Sequence, residues 1–142
     1  MGQLQTDSAA PPNAAVEARI LGRARQLVGT PYVWGGNSAR GLDCSAFVSR
    51  AWGISRQTSE TLAQHAHAVS ANDLRAGDAL NLTAGRDPEG LGHVRLFDRW
   101  ADESHTHMWV YEATPPSVIH HVVPFNHSYQ PLRFNGRSAI AS

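Results

Sequence analysis

Gly41-Leu42-Asp43-Cys44-Ser45-Ala46-Phe47 is the stretch on which the fold reading turns. Asp43 is a good N-cap, and the residues from Cys44 to about Trp52 read as a helix with Phe47, Val48 and Ala51 facing inward. The chain's one cysteine therefore falls in a first helical turn, where backbone N–H groups have no intrahelical partner and the helix dipole favours an anion. Those N–H groups can also stabilise the oxyanion of an acyl-transfer intermediate. Small Ser45 and Ala46 leave room for a carbonyl group to approach.

Upstream, Val16, Ile20, Leu21, Ala24, Leu27 and Val28 share one face of a helix from Val16 to Val28. Gly29-Thr30-Pro31 stops it. Tyr32-Val33-Trp34 is then a short extended piece entering a Gly35-Gly36 turn. Residues 1–15 are small, polar and proline-bearing, and read as a flexible N-terminal segment before a single domain over 16–142.

Downstream, Thr58 to His67 reads as a third helix capped by Thr58 or Ser59. The pattern then changes to strands: Ala79–Leu82 after a turn at 73–78, His93–Trp100 after a glycine-rich loop at 83–92, and Met108–Ala113 after a polar connection at 101–107. His120–Val123 is a further candidate, and the stretch around Tyr129–Phe134 is expected to close the sheet. Helices first and strands afterwards is an α+β order.

Composition narrows the function. The 142 residues suit one domain, and 42% hydrophobic with 17% charged residues is ordinary for a soluble globular protein. A net charge of zero argues against a bulk electrostatic grip on nucleic acid or anionic lipid. A single cysteine excludes an intrachain disulfide and a CxxC site. No stretch approaches the ~20 apolar residues of a membrane span, and no basic and apolar leader opens this chain.

A nucleophilic cysteine needs a base, and the base needs an orienting group. His93 opens a strand directly after Gly92, and Glu112 lies near the end of the next. In an antiparallel pair such positions become neighbours. His105 and His107 are rivals to Glu112 as the orienting group. Blander readings remain for each: Cys44 as a small buried hydrophobe, His93 as a strand residue, Glu112 as an exposed carboxylate, Tyr32 and Trp34 as core. The pairs His65/His67, His105/His107 and His120/His121 could suggest metal, but none has HExxH spacing, and no metal site is expected.

Four motifs, GTPYVWGG (Gly29–Gly36), GLDCSAF (Gly41–Phe47), LRAGDAL (Leu74–Leu80) and GHV (Gly92–Val94), occur in an order and spacing that resemble the NlpC/P60 cysteine peptidases. The resemblance implies a papain-like fold with N-terminal helices packed on a small antiparallel sheet. It implies Cys44 as nucleophile, His93 as base, Tyr32 as a side-chain donor near the oxyanion, and Glu112 as the third polar residue. Trp34, Asp43, Ser45 and Thr58 are the candidates for contacting substrate. The implied substrates are the stem peptides of bacterial cell-wall peptidoglycan. The expectation is a monomer that needs no cofactor and acts outside the cytoplasm, its leader absent from this chain. Alternatives are an acyltransferase or toxin-type cysteine enzyme on the same scaffold, and a catalytically silent wall-binding module. Three departures stand out: Ala46 where the family usually has glycine, Arg95 where glycine or alanine is usual, and a longer connection between Trp100 and Met108.

Overall fold

The computed structural model describes residues 14–136. Helix α1 (Ala14–Leu27) buries Val16, Ile20 and Ala24 along one face. Two short strands, β1 (Asn37–Ser38) and β2 (Gly41–Leu42), form a tight hairpin that leads into helix α2 (Cys44–Trp52). Asp43 caps α2, accepting from the Ala46 N–H at 2.8 Å. Gly53 ends it at φ 78°, a left-handed conformation in which a Cβ would be strained.

The strands are β3 (Ala66–Ala68), β4 (Ala79–Leu82), β5 (His93–Trp100), β6 (His107–Thr114), β7 (Ser117–Pro124) and β8 (Gln130–Phe134). They form one six-stranded sheet in the order β3-β8-β4-β5-β6-β7, with antiparallel pairing throughout. The α+β expectation thus describes the molecule: among the described residues two α-helices pack on an antiparallel sheet that supplies the second layer.

Strand alternation divides the apolar residues between two cores. On one face Val94, Leu96, Tyr111 and Ala113 pack with Phe47, Val48, Ala51 and Trp52 of α2. Leu80, Phe97, Met108, Val110 and Tyr129 form a second cluster. Trp52 ties the layers together, stacking on Phe134 at 5.0 Å and donating its indole N–H to the Gly77 carbonyl at 2.8 Å. Among the described residues no helix is long and apolar enough to cross a membrane.

The structure corrects the sequence reading in several places. The third helix expected from Thr58 to His67 is absent; a turn at Thr58–Thr61 runs into a 3-10 turn at Leu62–His65 and then into β3. Helical propensity loses because Ala66, His67 and Ala68 pair with Phe134, Arg133 and Leu132. The Ser59 carbonyl is held by the Asn81 side-chain amide at 2.8 Å. The strand expected around Tyr129–Phe134 does form, as β8, and it joins the sheet between β3 and β4. The proposed segment 1–15 lies largely outside the described residues, but Ala14 and Ala15 already belong to α1.

Candidate active site

Gly36 and Gly41, ahead of the cysteine, have a steric reason, and Gly35 a conformational one at φ 73°. A Cβ on Gly36 would come within 2.7 Å of the Gly41 carbonyl, and one on Gly41 within 2.2 Å of a Val33 methyl group. This close approach folds the Tyr32–Gly36 segment against the hairpin that delivers α2. Tyr32 and Leu42 form an isolated bridge, and the Val33 N–H donates to the Leu42 carbonyl at 3.2 Å. Tyr32 and Cys44 thereby reach the same cleft.

Cys44 is the first residue of α2 and is partly exposed, while Ser45 and Ala46 behind it are buried. Asp43 makes the cap bond to Ala46 and also pairs with the Arg56 guanidinium. Arg56 additionally donates to the Gly35 carbonyl at 3.3 Å. The cap, the glycine turn and the Arg56 segment are therefore fastened at one point.

His93 and Arg95 project from the same face of β5, and Glu112 comes from β6. The His93 Nε2 atom lies 2.6 Å from Glu112 Oε1, and Arg95 Nε donates to that same oxygen at 2.9 Å. Cys44 and His93 line the same cleft, and the thiol is close enough to act on the charge of the imidazole. Burial disfavours the charged imidazole, but its interactions with Cys44 and Glu112 outweigh it and raise His93 to about 9. Burial likewise opposes the Glu112 charge; His93, Arg95 and His121 overcome that and lower its carboxyl to about 2. The Tyr32 hydroxyl is pushed up by burial, then by the charges of Cys44 and Asp43, so it stays a proton-bearing donor.

The cleft has a volume of about 810 Å³. Tyr32, Trp34, Asp43, Cys44, Ser45, Thr58, His93 and Glu112 all line it, so the structure brings together every residue singled out as a catalytic or substrate-contact candidate. Trp34 is 73% exposed at its rim, which leaves its ring free for a ligand. The rivals His105 and His107 are elsewhere. His105 stacks on Trp100 at 4.2 Å and contacts Asn72, while His107 touches Thr106.

Two neighbours escaped the sequence reading. His121, grouped there only with a doubtful metal pair, places Nε2 at 2.5 Å from Glu112 Oε2. The signal was available in the Thr114-Pro115-Pro116-Ser117 turn. Its pairing of Thr114 with Ser117 sets Glu112 opposite Ile119 and Val110 opposite His121, which makes His121 the diagonal neighbour of Glu112. Tyr129, from the segment before β8, sets its ring edge-on to His93, with centroids 6.3 Å apart. No local pattern announces that contact. Among the described residues no group of three His, Cys, Asp or Glu side chains is arranged to hold a metal ion.

Chemically, the arrangement is a thiol at a helix N-terminus, an imidazole in the same cleft, and a buried carboxylate hydrogen-bonded to the imidazole. Comparisons with known proteins agree with the fold. Residues 29–122 match the NlpC/P60 family. A probable endopeptidase of Haemophilus influenzae is 35% identical over 86 residues, covering 56% of this chain and 52% of that protein. A probable endopeptidase of Corynebacterium glutamicum is 32% identical over 95 residues, covering 61% of this chain and 44% of that protein. The chain thus spans about half the length of the curated relatives it matches. The solved structure of the peptidoglycan hydrolase RipB from Mycobacterium tuberculosis superposes with a TM-score of 0.61 at 23% identity, covering 89% of this chain and 68% of that one.

Proposed function

Because the chain belongs to the NlpC/P60 family, we propose that it is a cysteine peptidase that cleaves amide bonds in the stem peptides of bacterial peptidoglycan. The observation that carries the reading is that Cys44 at the start of α2, His93 and Glu112 line one cleft, with His93 Nε2 2.6 Å from Glu112 Oε1. The substrate class rests on the relatives, which are named as endopeptidases and as a peptidoglycan hydrolase. The site of action is accordingly the cell wall, outside the cytoplasm.

In this mechanism His93 takes the Cys44 proton, and the thiolate attacks the scissile carbonyl carbon. The resulting oxyanion is met by the Cys44 backbone N–H and the Tyr32 hydroxyl. Collapse of the intermediate breaks the C–N bond, and the His93 imidazolium gives its proton to the leaving amine. Water, deprotonated by His93, then hydrolyses the thioester and restores the thiol. Glu112 holds the imidazole and stabilises its charge throughout, as the carboxylate of a catalytic triad does. No step requires a cofactor. Trp34, Asp43, Ser45 and Thr58 line the same cleft, which supports a role for them in contacting the substrate.

The test is mass spectrometry of purified peptidoglycan fragments incubated with the protein and with its Cys44→Ala variant. Shortened stem peptides with the native chain alone are expected. Products joined to an added amine or alcohol instead of water would favour the acyltransferase reading. Absence of any new product, with Cys44 inert to iodoacetamide, would favour the silent binding module.

A further inference from the structure

The Glu112 carboxylate is shared. His93 Nε2 and Arg95 Nε converge on Oε1 at 2.6 and 2.9 Å, while His121 takes Oε2. Arg95 is fixed in turn: its guanidinium carbon lies 4.8 Å above the Tyr129 ring centroid, and its side chain is only 19% exposed. Tyr129, itself 9% exposed, also meets the His93 ring edge-on. Tyr129 lies beyond the residues 29–122 that match the family.

Resting on the proposed catalytic reading, we infer that Arg95, seated on Tyr129, is a positioning residue that limits how strongly Glu112 stabilises protonated His93. An oxygen that already accepts from a permanent cation is a weaker acceptor for a second one, and two like charges on one oxygen oppose each other. Glu112 alone would make His93 more basic still. An imidazolium held too firmly is a poor acid for the leaving amine, since general acids work best with a pKa near the working pH. Arg95 thus offsets the carboxylate without displacing it. The other charged or titratable groups facing this cluster are Cys44 on α2, Asp87 on the loop before β5, His121 on β7 and Tyr129 ahead of β8, with Tyr32 across the cleft. None of them touches Oε1, so substitution of Arg95 changes that oxygen most directly.

The test follows His93 by histidine-labelled NMR in a Cys44→Ala background, where the imidazole titrates without the coupled thiol; the signal is identified by its loss in His93→Gln. Arg95→Gln is expected to move the His93 midpoint upward by about one pH unit, from removal of a like charge. Arg95→Lys, which keeps the charge, is expected to stay close to the parent. With Cys44 restored, Arg95→Gln should carry the alkaline limb of kcat/KM upward in parallel. Should Arg95→Gln fail to fold, Tyr129→Leu, which releases the guanidinium, is expected to raise the midpoint by a smaller amount. An unchanged or lowered midpoint overturns the inference, as does a rise in KM alone, which would make Arg95 a substrate contact. If Cys44→Ala still cleaves substrate, the catalytic reading fails instead, whatever the midpoints show.

Discussion

Nε2 of His93, at the start of β5, lies 2.6 Å from Oε1 of Glu112, near the end of β6, and the carboxylate is only 4% exposed. A buried carboxylate in that position fixes the imidazole tautomer and favours its charged form. Glu112→Gln keeps the shape and removes the charge. Turnover is expected to fall at least about 10-fold in steady-state assays, given the larger losses known when a triad carboxylate is neutralised. Circular dichroism should show the fold retained. Unaltered turnover would reduce Glu112 to a structural group.

The same pair sets a pH window for stability. Glu112 ionises at about 2 in the folded chain against an ordinary 4.5. Its contribution is therefore full above pH 4.5 and is lost as pH falls toward 2. His93 is raised from 6.5 to about 9, so its contribution is full below 6.5 and is lost as pH rises toward 9. The Tm should be highest between pH 4.5 and 6.5 and decline on both sides. Scanning calorimetry of Glu112→Gln should show both slopes flattened.

Histidine substitutions should separate the network from its surroundings. His93→Ala is expected to cost at least about 10²-fold in kcat/KM, from loss of general acid–base catalysis. His121→Ala, which frees one Glu112 oxygen, should give a smaller but measurable loss. His65→Ala, His105→Ala and His107→Ala should stay within a few-fold of the native chain, and EDTA should leave turnover unchanged. An inactive His105 or His107 variant with an active His93 variant would reverse the assignment.

Asp43 joins stability to the site. Its carboxylate caps α2 through the Ala46 N–H at 2.8 Å and pairs with Arg56. Asp43→Ala is expected to lower unfolding free energy by about 0.5–2 kcal/mol, the usual cost of losing such a cap, read from urea denaturation. Turnover should fall as well, because the first turn that presents Cys44 is held by that bond. Asp43→Asn should recover most of the stability, since an amide oxygen also caps.

Much of this was legible in the chain. The helix from Cys44 to Trp52 and the strands from Ala79 to Leu82 and from His93 to Trp100 are bounded where capping, glycine turns and alternation put them. The stretch Thr58–His67 misled because its helical composition is local, whereas β3 exists only through pairing with residues 132–134. A backbone hydrogen bond to a distant strand leaves no mark on the sequence of either partner.

The site divides along the same line. Cys44 at a capped helix start and His93 after Gly92 follow from short-range chemistry, since each depends on residues adjacent in the chain. So does the alternation that puts Glu112 on the opposite side of β6 from Tyr111, where Val110 also lies. Which groups share the Glu112 carboxylate depended on the third dimension. Arg95, His121 and Tyr129 meet His93 and Glu112 because β5, β6, β7 and the approach to β8 converge on one cleft. Order along the chain picked out the groups proposed to react. The distances between charges that tune those atoms exist only once the strands are paired, because electrostatic coupling depends on separation in space and not along the chain.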